Sequence, residues 1–126
     1  MRELKLNRIK ATGTTTGDVY FPQTKLLLPF DGANTATTTS DLSNSNHTVT
    51  FNGNAQISTA QSKFGGSSCY FDGTGDSLSV PSSSDFQWTG AFTLECWVRF
   101  SSLSGTHYVT TSGTDDSYFH RIRATS

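Results

Sequence analysis

The fold is decided by nine consecutive residues, Phe92-Thr93-Leu94-Glu95-Cys96-Trp97-Val98-Arg99-Phe100. On one face of this segment fall the apolar side chains of Phe92, Leu94, Cys96, Val98 and Phe100. The other face carries Thr93, Glu95, Trp97 and Arg99. A period of two is the pattern of a β-strand that turns one face to the core. The segment therefore predicts a central, well-buried strand over residues 92–100.

Shorter runs of the same kind lie on both sides of this segment, and turn residues separate them. In chain order, the predicted strands and hairpins cover residues 26–30, 49–58, 69–80, 107–110 and 118–123. Asn52-Gly53-Asn54 and Asp72-Gly73-Thr74-Gly75-Asp76 are the predicted hairpin turns, because Gly and Asn adopt the left-handed backbone readily. Residues 33–46 are almost entirely small and polar, and they predict a surface loop.

The composition agrees with an all-β chain. Ser and Thr fill 38 of the 126 positions and Gly adds 11, which favours short strands and turns over long helices. Nine Phe, four Tyr and two Trp are enough to build a core. Many short strands with turn signals between them predict one antiparallel two-sheet sandwich or jelly roll.

The first ten residues differ in charge from the rest. Four basic residues and Glu3 give them +3, and the remaining five basic and nine acidic residues give −4, in agreement with the net charge of −1. Leu4 and Leu6 alternate with polar residues and predict a short strand, and residues 11–18 form a polar linker. We assign residues 1–25 either to a frayed terminus or to an arm that attaches the domain to an acidic partner. The attachment residues would be Arg2, Leu4, Lys5, Leu6, Arg8, Ile9 and Lys10.

From Leu26 onward the sequence resembles the concanavalin A-like, laminin-G-like domains of the lectin-glucanase superfamily. Four blocks in a fitting order carry the resemblance: Leu26-Leu27-Leu28-Pro29-Phe30-Asp31-Gly32, Ala60-Gln61-Ser62-Lys63-Phe64-Gly65-Gly66-Ser67-Ser68, Tyr70-Phe71-Asp72-Gly73-Thr74-Gly75-Asp76-Ser77-Leu78-Ser79-Val80-Pro81 and the segment 92–100. Similar modules occur in bacteriophage tail and fibre proteins. For residues 26–126 the resemblance implies a two-sheet jelly roll that functions in glycan binding, adhesion or virion architecture.

The family continues with several more strands beyond the point that corresponds to Ser126. We therefore expect the sandwich to be incomplete at its C-terminus. Either the protein continues past Ser126, or another chain supplies the remaining strands, because half of a sandwich would expose a sheet face and strand edges.

The candidate carbohydrate-binding residues are Trp88, Trp97 and Tyr70. An aromatic ring offers an apolar face on which the C–H face of a sugar can stack. Trp97 lies opposite the apolar side chains of its strand, which predicts an outer position, although a second layer or the N-terminal segment could cover it. Trp88 follows Phe86 in a loop and could equally close the end of the sandwich.

The candidate metal ligands are Asp72, Asp76 and Asp115, and the only cofactor suggested is calcium, which related lectin-like families hold. The sequence from Asp72 to Ser83 is not an EF-hand, because its twelfth position is Ser83 where an EF-hand needs Glu. The alternative is a glycine-rich turn whose aspartates cap backbone amides, with Asp115 solvated in a loop.

Catalysis has little support in the sequence, and we expect a protein that is not an enzyme. The glucanases of this superfamily need paired carboxylates, and Glu95 has no such partner in the Glu-x-Asp-x-x-Glu arrangement. Cys69 and Cys96 predict buried free thiols on inward strand faces. His47, His107 and His120 are scattered along the chain.

These features predict a non-catalytic, virion-associated, lectin-like module for carbohydrate binding or adhesion, or alternatively a structural virion protein. The start of the chain lacks a signal peptide, so we expect synthesis in a host cytoplasm and a final location in the virion. The expected partners are other virion proteins and host surface glycans, in an oligomeric assembly. Nucleic acid and membrane insertion are not expected, because the charge is nearly balanced and no apolar run is long enough to span a bilayer.

Overall fold

A computed structural model describes residues 2–5, 19–104, 106–112 and 118–123 of the chain. Its regular structure within these ranges consists of strands and two 3₁₀ turns, Phe21–Gln23 and Ser84–Phe86. The strands are β1 (Arg2–Lys5), β2 (Thr50–Asn52), β3 (Gln56–Ser58), β4 (Ser68–Phe71), β5 (Ser77–Ser79), β6 (Trp97–Phe100), β7 (Thr106–Ser112) and β8 (Tyr118–Arg123). Every pairing between these strands is antiparallel, and the predicted all-β class is confirmed.

The strands form three small sheets. The largest has the order β3-β4-β1-β6, and the other two are the pairs β2-β5 and β7-β8. β7 and β8 confirm the two strands predicted over residues 107–110 and 118–123, and they pair with each other with one irregularity after Tyr108.

The two predicted hairpins contain strands where expected, but the predicted pairing is wrong. β2 and β3 follow each other across Gly53, yet β2 pairs with β5 and β3 pairs with β4. Likewise β4 and β5, on either side of Asp72–Asp76, belong to different sheets. A tight turn with positive φ, here 69° at Gly53, reverses a chain whether or not its two arms are paired. Both turns therefore carry the chain from one sheet to another.

The core lies between the four-stranded sheet and the β2-β5 pair. Its buried members are Leu28, Phe30, Ile57 and Cys69, and partly buried apolar side chains pack against them: Leu26, Ala36, Val49, Phe51, Phe71 and Leu78. Ile57, Cys69 and Phe71 come from the four-stranded sheet, whereas Phe51 and Leu78 come from the β2-β5 pair. Each large apolar side chain buried in this way stabilises the fold by roughly 1.5–3 kcal/mol.

The segment 26–30 is buried as predicted but is not a regular strand. Its backbone is instead hydrogen-bonded to loop 33–46: the Leu42 N–H donates to the Leu27 carbonyl over 2.8 Å. At the end of the segment, Phe30 is 1% exposed and has a φ of 55°, in the left-handed region. The Ser67 hydroxyl donates to the Phe30 carbonyl over 2.9 Å and accepts from the Gly32 N–H over 3.1 Å, which holds this bend in place.

The expectation of a buried strand over all of residues 92–100 is wrong. Only Trp97–Phe100 form a strand, and Phe92 and Leu94 remain 46% and 40% exposed. β6 is the last strand in the order of its sheet, with β1 on its one paired side. A strand needs a neighbouring strand to satisfy its backbone hydrogen bonds, and residues 92–96 pair with none of the described strands. Their alternating sequence pattern therefore does not produce a strand.

Residues 2–5 do form the short strand that their sequence predicts, but its place was not expected. β1 lies in the interior of the four-stranded sheet, paired with β4 on one side and β6 on the other. These pairings place residues 2–5 within the sheet, while the assignment of residues 1–25 as an attachment arm stays a prediction. The alternating pattern identifies a strand but does not say whose sheet it joins. Leu6, Arg8, Ile9 and Lys10 lie outside the described residues.

Candidate functional site

Trp97 presents the largest exposed aromatic surface on the four-stranded sheet. It opens β6 and is 52% exposed, while the next residue, Val98, is half-buried on the opposite face. The backbone of Leu4 lies opposite both Val98 and Cys69, and Cys69 belongs to the core. Trp97 therefore lies on the outer face of the sheet, and of the two positions considered from the sequence the structure favours the exposed one.

Two residues of the loop before β4 border the Trp97 ring. Phe64 meets it edge to face with 6.0 Å between ring centroids, and the Lys63 ammonium lies 4.6 Å from the Trp97 centroid. The edge-to-face contact supports the indole from one side, and the ammonium adds a cation–π attraction of about 0.5–1 kcal/mol at such an exposed site. Phe64 and Lys63 were not among the predicted site residues, because nothing in their sequence spacing brings them to β6.

Tyr70 shares the outer face with Trp97. Tyr70 is opposite Glu3 and Trp97 is opposite Lys5 in the two ladders of β1. Positions 3 and 5 of a strand lie on the same face, so the structure brings these two predicted residues onto one surface. Two strand spacings across and two residues along the sheet separate them by about 12 Å. We call this surface, made of Trp97, Tyr70, Lys63 and Phe64, the outer aromatic face.

Trp88, the third predicted sugar-stacking residue, lies outside the strands that form the outer aromatic face. It lies in the segment between the second 3₁₀ turn and β6, where its ring stacks on Phe92 with centroids 4.1 Å apart and planes at 21°. Part of its apolar surface is thus covered by a neighbour in sequence. Both roles considered for Trp88, sugar stacking and closure of the sandwich end, stay predictions.

The carboxylates of Asp72 and Asp76 cap backbone amides, as the turn interpretation predicts. Asp72 accepts from the Thr74 N–H over 2.7 Å, and Asp76 accepts from the N–H groups of Asp72 and Asn54. The Asn54 side-chain amide also donates to Asp72 over 3.0 Å, so the two turns are joined. This amide and the Thr74 N–H hold the pKa of Asp72 below its usual value. A Cβ at Gly53 would lie 2.6 Å from an Asp76 oxygen, so this approach requires glycine.

Calcium binding by Asp72, Asp76 and Asp115 stays a prediction. Each of the four oxygens of Asp72 and Asp76 accepts a hydrogen bond from the protein, which leaves one further lone pair on each for an ion. Asp115 lies outside the described residues. Within the described part of the chain, no group of three or more His, Cys, Asp or Glu side chains converges on a common point.

Asp41 is a buried carboxylate that holds a loop in place, and the sequence analysis did not identify it. It is 4% exposed inside the polar loop 33–46, and its carboxylate accepts from the N–H groups of Leu27, Ser43 and His47 over 2.8–2.9 Å. The Ser43 hydroxyl donates to it as well, over 2.8 Å. Burial alone would raise the pKa of Asp41, but these donors together hold it below its usual value. The sequence Asp41-x-Ser43, typical of a side chain that bonds to the backbone two residues on, was the available signal.

A second network surrounds Asp85 on the surface. The carboxylate accepts from the Ser45 hydroxyl over 2.6 Å, meets the Lys25 ammonium at 2.9 Å and lies 3.2 Å from His47 Nε2. The hydrogen bonds from Ser45 and Lys25 are the main reason that the pKa of Asp85 is lowered to about 2. The His47 ring also lies against Phe86, 4.9 Å between centroids. The network ties loop 33–46 and its neighbour Lys25 to the second 3₁₀ turn.

Ser45, His47 and Asp85 are the residue types of a catalytic triad, but their geometry differs from one. In a triad the histidine takes the serine proton while the aspartate holds the other side of the imidazole ring. Here the serine hydroxyl donates directly to the aspartate, and His47 Nε2 faces the same carboxylate oxygen. The serine is thus bonded to an acceptor that a lowered pKa keeps charged, an arrangement suited to holding the loop in place.

The two cysteines are free, as the sequence predicts, and differ in burial. Cys69 is fully buried and Cys96 is half-buried. Burial, with a smaller contribution from the charge of Asp76, raises the pKa of the Cys69 thiol to about 12. Burial also raises the pKa of Cys96. Because the thiolate is the reactive form, both are poor nucleophiles in this fold.

No protein-family model, curated protein or solved structure matches this chain. The helical turns of the described residues include none with the length and apolarity needed to cross a membrane.

Proposed function

We propose that this chain is a non-catalytic, lectin-like module that binds carbohydrate on its outer aromatic face, with Trp97 as the stacking residue. The observation that carries the proposal is the 52% exposure of Trp97 on the outside of a strand whose other face is half-buried. A large aromatic surface left in water is costly, and such surfaces are commonly binding sites. The indole offers a sugar ring an apolar plane that a flexible aliphatic side chain lacks.

The surroundings of Trp97 supply the polar groups that a sugar also needs. The Lys63 ammonium lies over the indole ring and can donate to hydroxyl or carboxylate oxygens of a bound saccharide. Lysine has a flexible stem, so this ammonium can move off the ring face when a sugar stacks there. Tyr70, about 12 Å away on the same face, gives an extended oligosaccharide a second contact.

We further propose that the three small sheets belong to a sandwich of the concanavalin A-like type. The core between the four-stranded sheet and β2-β5, and the two turns that carry the chain between them, support this architecture. The proposed setting in a virion, on a tail fibre or similar appendage, rests on the resemblance of the four sequence blocks in residues 26–100.

A structural virion protein is the second candidate, and a different surface favours it. Phe92 and Leu94 are both more than one-third exposed and lie just before the edge strand β6. Neighbouring apolar side chains at a sheet edge are suited to contact with another viral protein. In that case the protein would act as a cement or decoration element.

A glycan array probed with the intact chain tests the first candidate. We expect selective binding that Trp97→Ala abolishes, because alanine removes the stacking plane. Tyr20→Ala is the matched control: Tyr20 is 76% exposed but lies far along the chain from β6, next to the first 3₁₀ turn. Loss of binding in both variants, or in neither, would contradict a site at Trp97. Silence of the array together with binding to virion proteins would favour the structural role.

A further inference from the structure

β1 fills a gap between two strands that do not pair with each other. It has three residue pairs with β4 and four with β6, and in the described sheet these two strands meet only through it. Without β1, the sheet would contain two open strand edges that face one another across an empty position. Open edges are templates for any strand that offers the right backbone groups.

The bonds that hold β1 do not depend on which copy of the chain supplies it. Strand addition gains its affinity from main-chain hydrogen bonds, and the register sets which residues face each other. Here Leu4 is opposite Cys69 on one side and Val98 on the other. The same register would form if β1 came from a neighbouring molecule.

The chain between β1 and the rest of the domain is long enough for such an exchange. Residues 6–18 number 13, from 18 − 5, and could span about 45 Å when extended. A compact domain of about 100 residues has a radius of gyration of about 13 Å. The stretch therefore permits β1 to reach either its own gap or the gap of an adjacent copy.

Charge also brings β1 towards either copy. Residues 1–10 carry +3 and the remainder of the chain carries −4. The attraction between these parts acts between copies as well as within one, and it counteracts the repulsion between two chains of like net charge.

We propose that the gap between β4 and β6 is a strand-accepting site that takes residues 2–5 from a second copy of this chain, so that copies join by exchanging β1. In dilute solution the copy's own β1 has the advantage of an effective concentration on the order of millimolar. Exchange takes over where copies are concentrated or held side by side, as in a repeated assembly.

A disulfide trap tests the exchange in the full-length chain. Residues opposite each other in an antiparallel ladder have Cβ atoms about 5 Å apart, so the double variant Glu3→Cys, Tyr70→Cys places two thiols at facing positions of the β1-β4 ladder, on the other face from the buried Cys69. Glu3→Cys alone is the matched control, since it lacks the second thiol. After copper-catalysed oxidation, we expect covalent dimers linked from position 3 to position 70, in a fraction that rises with protein concentration, for the double variant alone.

Peptide mass spectrometry and non-reducing gels separate the outcomes. Links from position 3 to position 70 that occur only within single chains at every concentration would overturn the exchange. Equal dimerisation of both variants would overturn the register on which the site is built.

A second measurement uses the unmodified chain and does not depend on thiol reactivity. The protein is unfolded, refolded at increasing concentrations and analysed by light scattering. We expect a dimer fraction that rises with concentration and disappears in Leu4→Pro, because proline lacks the N–H that a paired interior strand donates. A chain that stays monomeric throughout, or a Leu4→Pro variant that dimerises equally well, would overturn the proposal.

Discussion

Residues 26–47 and residues 92–100 differ in how their side chains are covered. In the first region Phe30 is enclosed, and even the carboxylate of Asp41 is buried with four hydrogen-bond donors around it. In the second, Phe92, Leu94 and Trp97 are all more than one-third exposed. The irregular region meets the core on one side and its own loop on the other, whereas the regular one lies at a sheet edge. Burial thus follows from the neighbours that a segment finds and not from the regularity of its pattern.

The largest effect should come from a pair of identical substitutions in the two regions. Phe30→Ala should lower the free energy of unfolding by about 3–5 kcal/mol, because it removes an enclosed ring and leaves a cavity. Phe92→Ala should cost less than about 1 kcal/mol, since the ring is 46% exposed and stacks only on Trp88 among the rings described. Urea denaturation of both variants measures the difference. Equal losses of unfolding free energy would show that residues 92–96 are buried in solution, as the predicted nine-residue strand requires.

These two regions also show how far the sequence could lead. The alternation around Trp97 correctly places it away from the core, and the apolar run from Leu26 to Phe30 correctly predicts burial. Period and composition report which face of a segment prefers water, and this local property survives in the fold.

Neither the pairing of the strands nor the full set of site residues could be predicted from such local patterns. β2 and β3 are adjacent in sequence, and only the competition among all strands decides that each pairs elsewhere. Lys63 and Asp85 act on partners more than 30 and nearly 40 positions away, at Trp97 and His47, where no spacing rule applies. Asp41 had a local signal in Ser43, but its hydrogen bond from the Leu27 N–H comes from 14 positions away and has no such signal.

A smaller effect is expected at Asp41, which tests whether loop 33–46 is held by its one buried carboxylate. Asp41→Ala leaves the N–H groups of Leu27, Ser43 and His47 without their acceptor and should cost about 3 kcal/mol. Asp41→Asn keeps one carbonyl oxygen and should cost less. Thermal denaturation of the two variants, with Asp72→Ala as an exposed turn aspartate for comparison, gives the order. If Asp41→Ala were no less stable than Asp72→Ala, water would have to accept from the three N–H groups in place of the carboxylate. This part of the loop would then be accessible to solvent.

The smallest effect is expected at the surface network of Asp85, and it should depend on pH. The pKa of Asp85 is lowered to about 2 from an ordinary value of 3.8, chiefly by the Ser45 hydroxyl and Lys25. A carboxylate with a lowered pKa in the folded state stabilises the fold fully above its ordinary pKa, and this contribution is lost as the pH falls through the lowered value.

Asp85→Asn removes this titrating group while keeping a side chain of the same size. We expect the wild-type protein to be the more stable of the two above about pH 4, because only the carboxylate can pair with Lys25 and accept strongly from Ser45. The difference in melting temperature should then shrink between about pH 4 and pH 2, where Asp85 becomes protonated. Asp41 and Asp72 titrate in the same direction in both proteins, so the comparison isolates Asp85. Moderate salt should reduce the difference above pH 4, because Lys25 is half exposed. Equal melting temperatures of the two proteins from pH 7 to pH 2 would show that the carboxylate charge does not hold the loop, and that the hydrogen bond from Ser45, which asparagine can also accept, is sufficient.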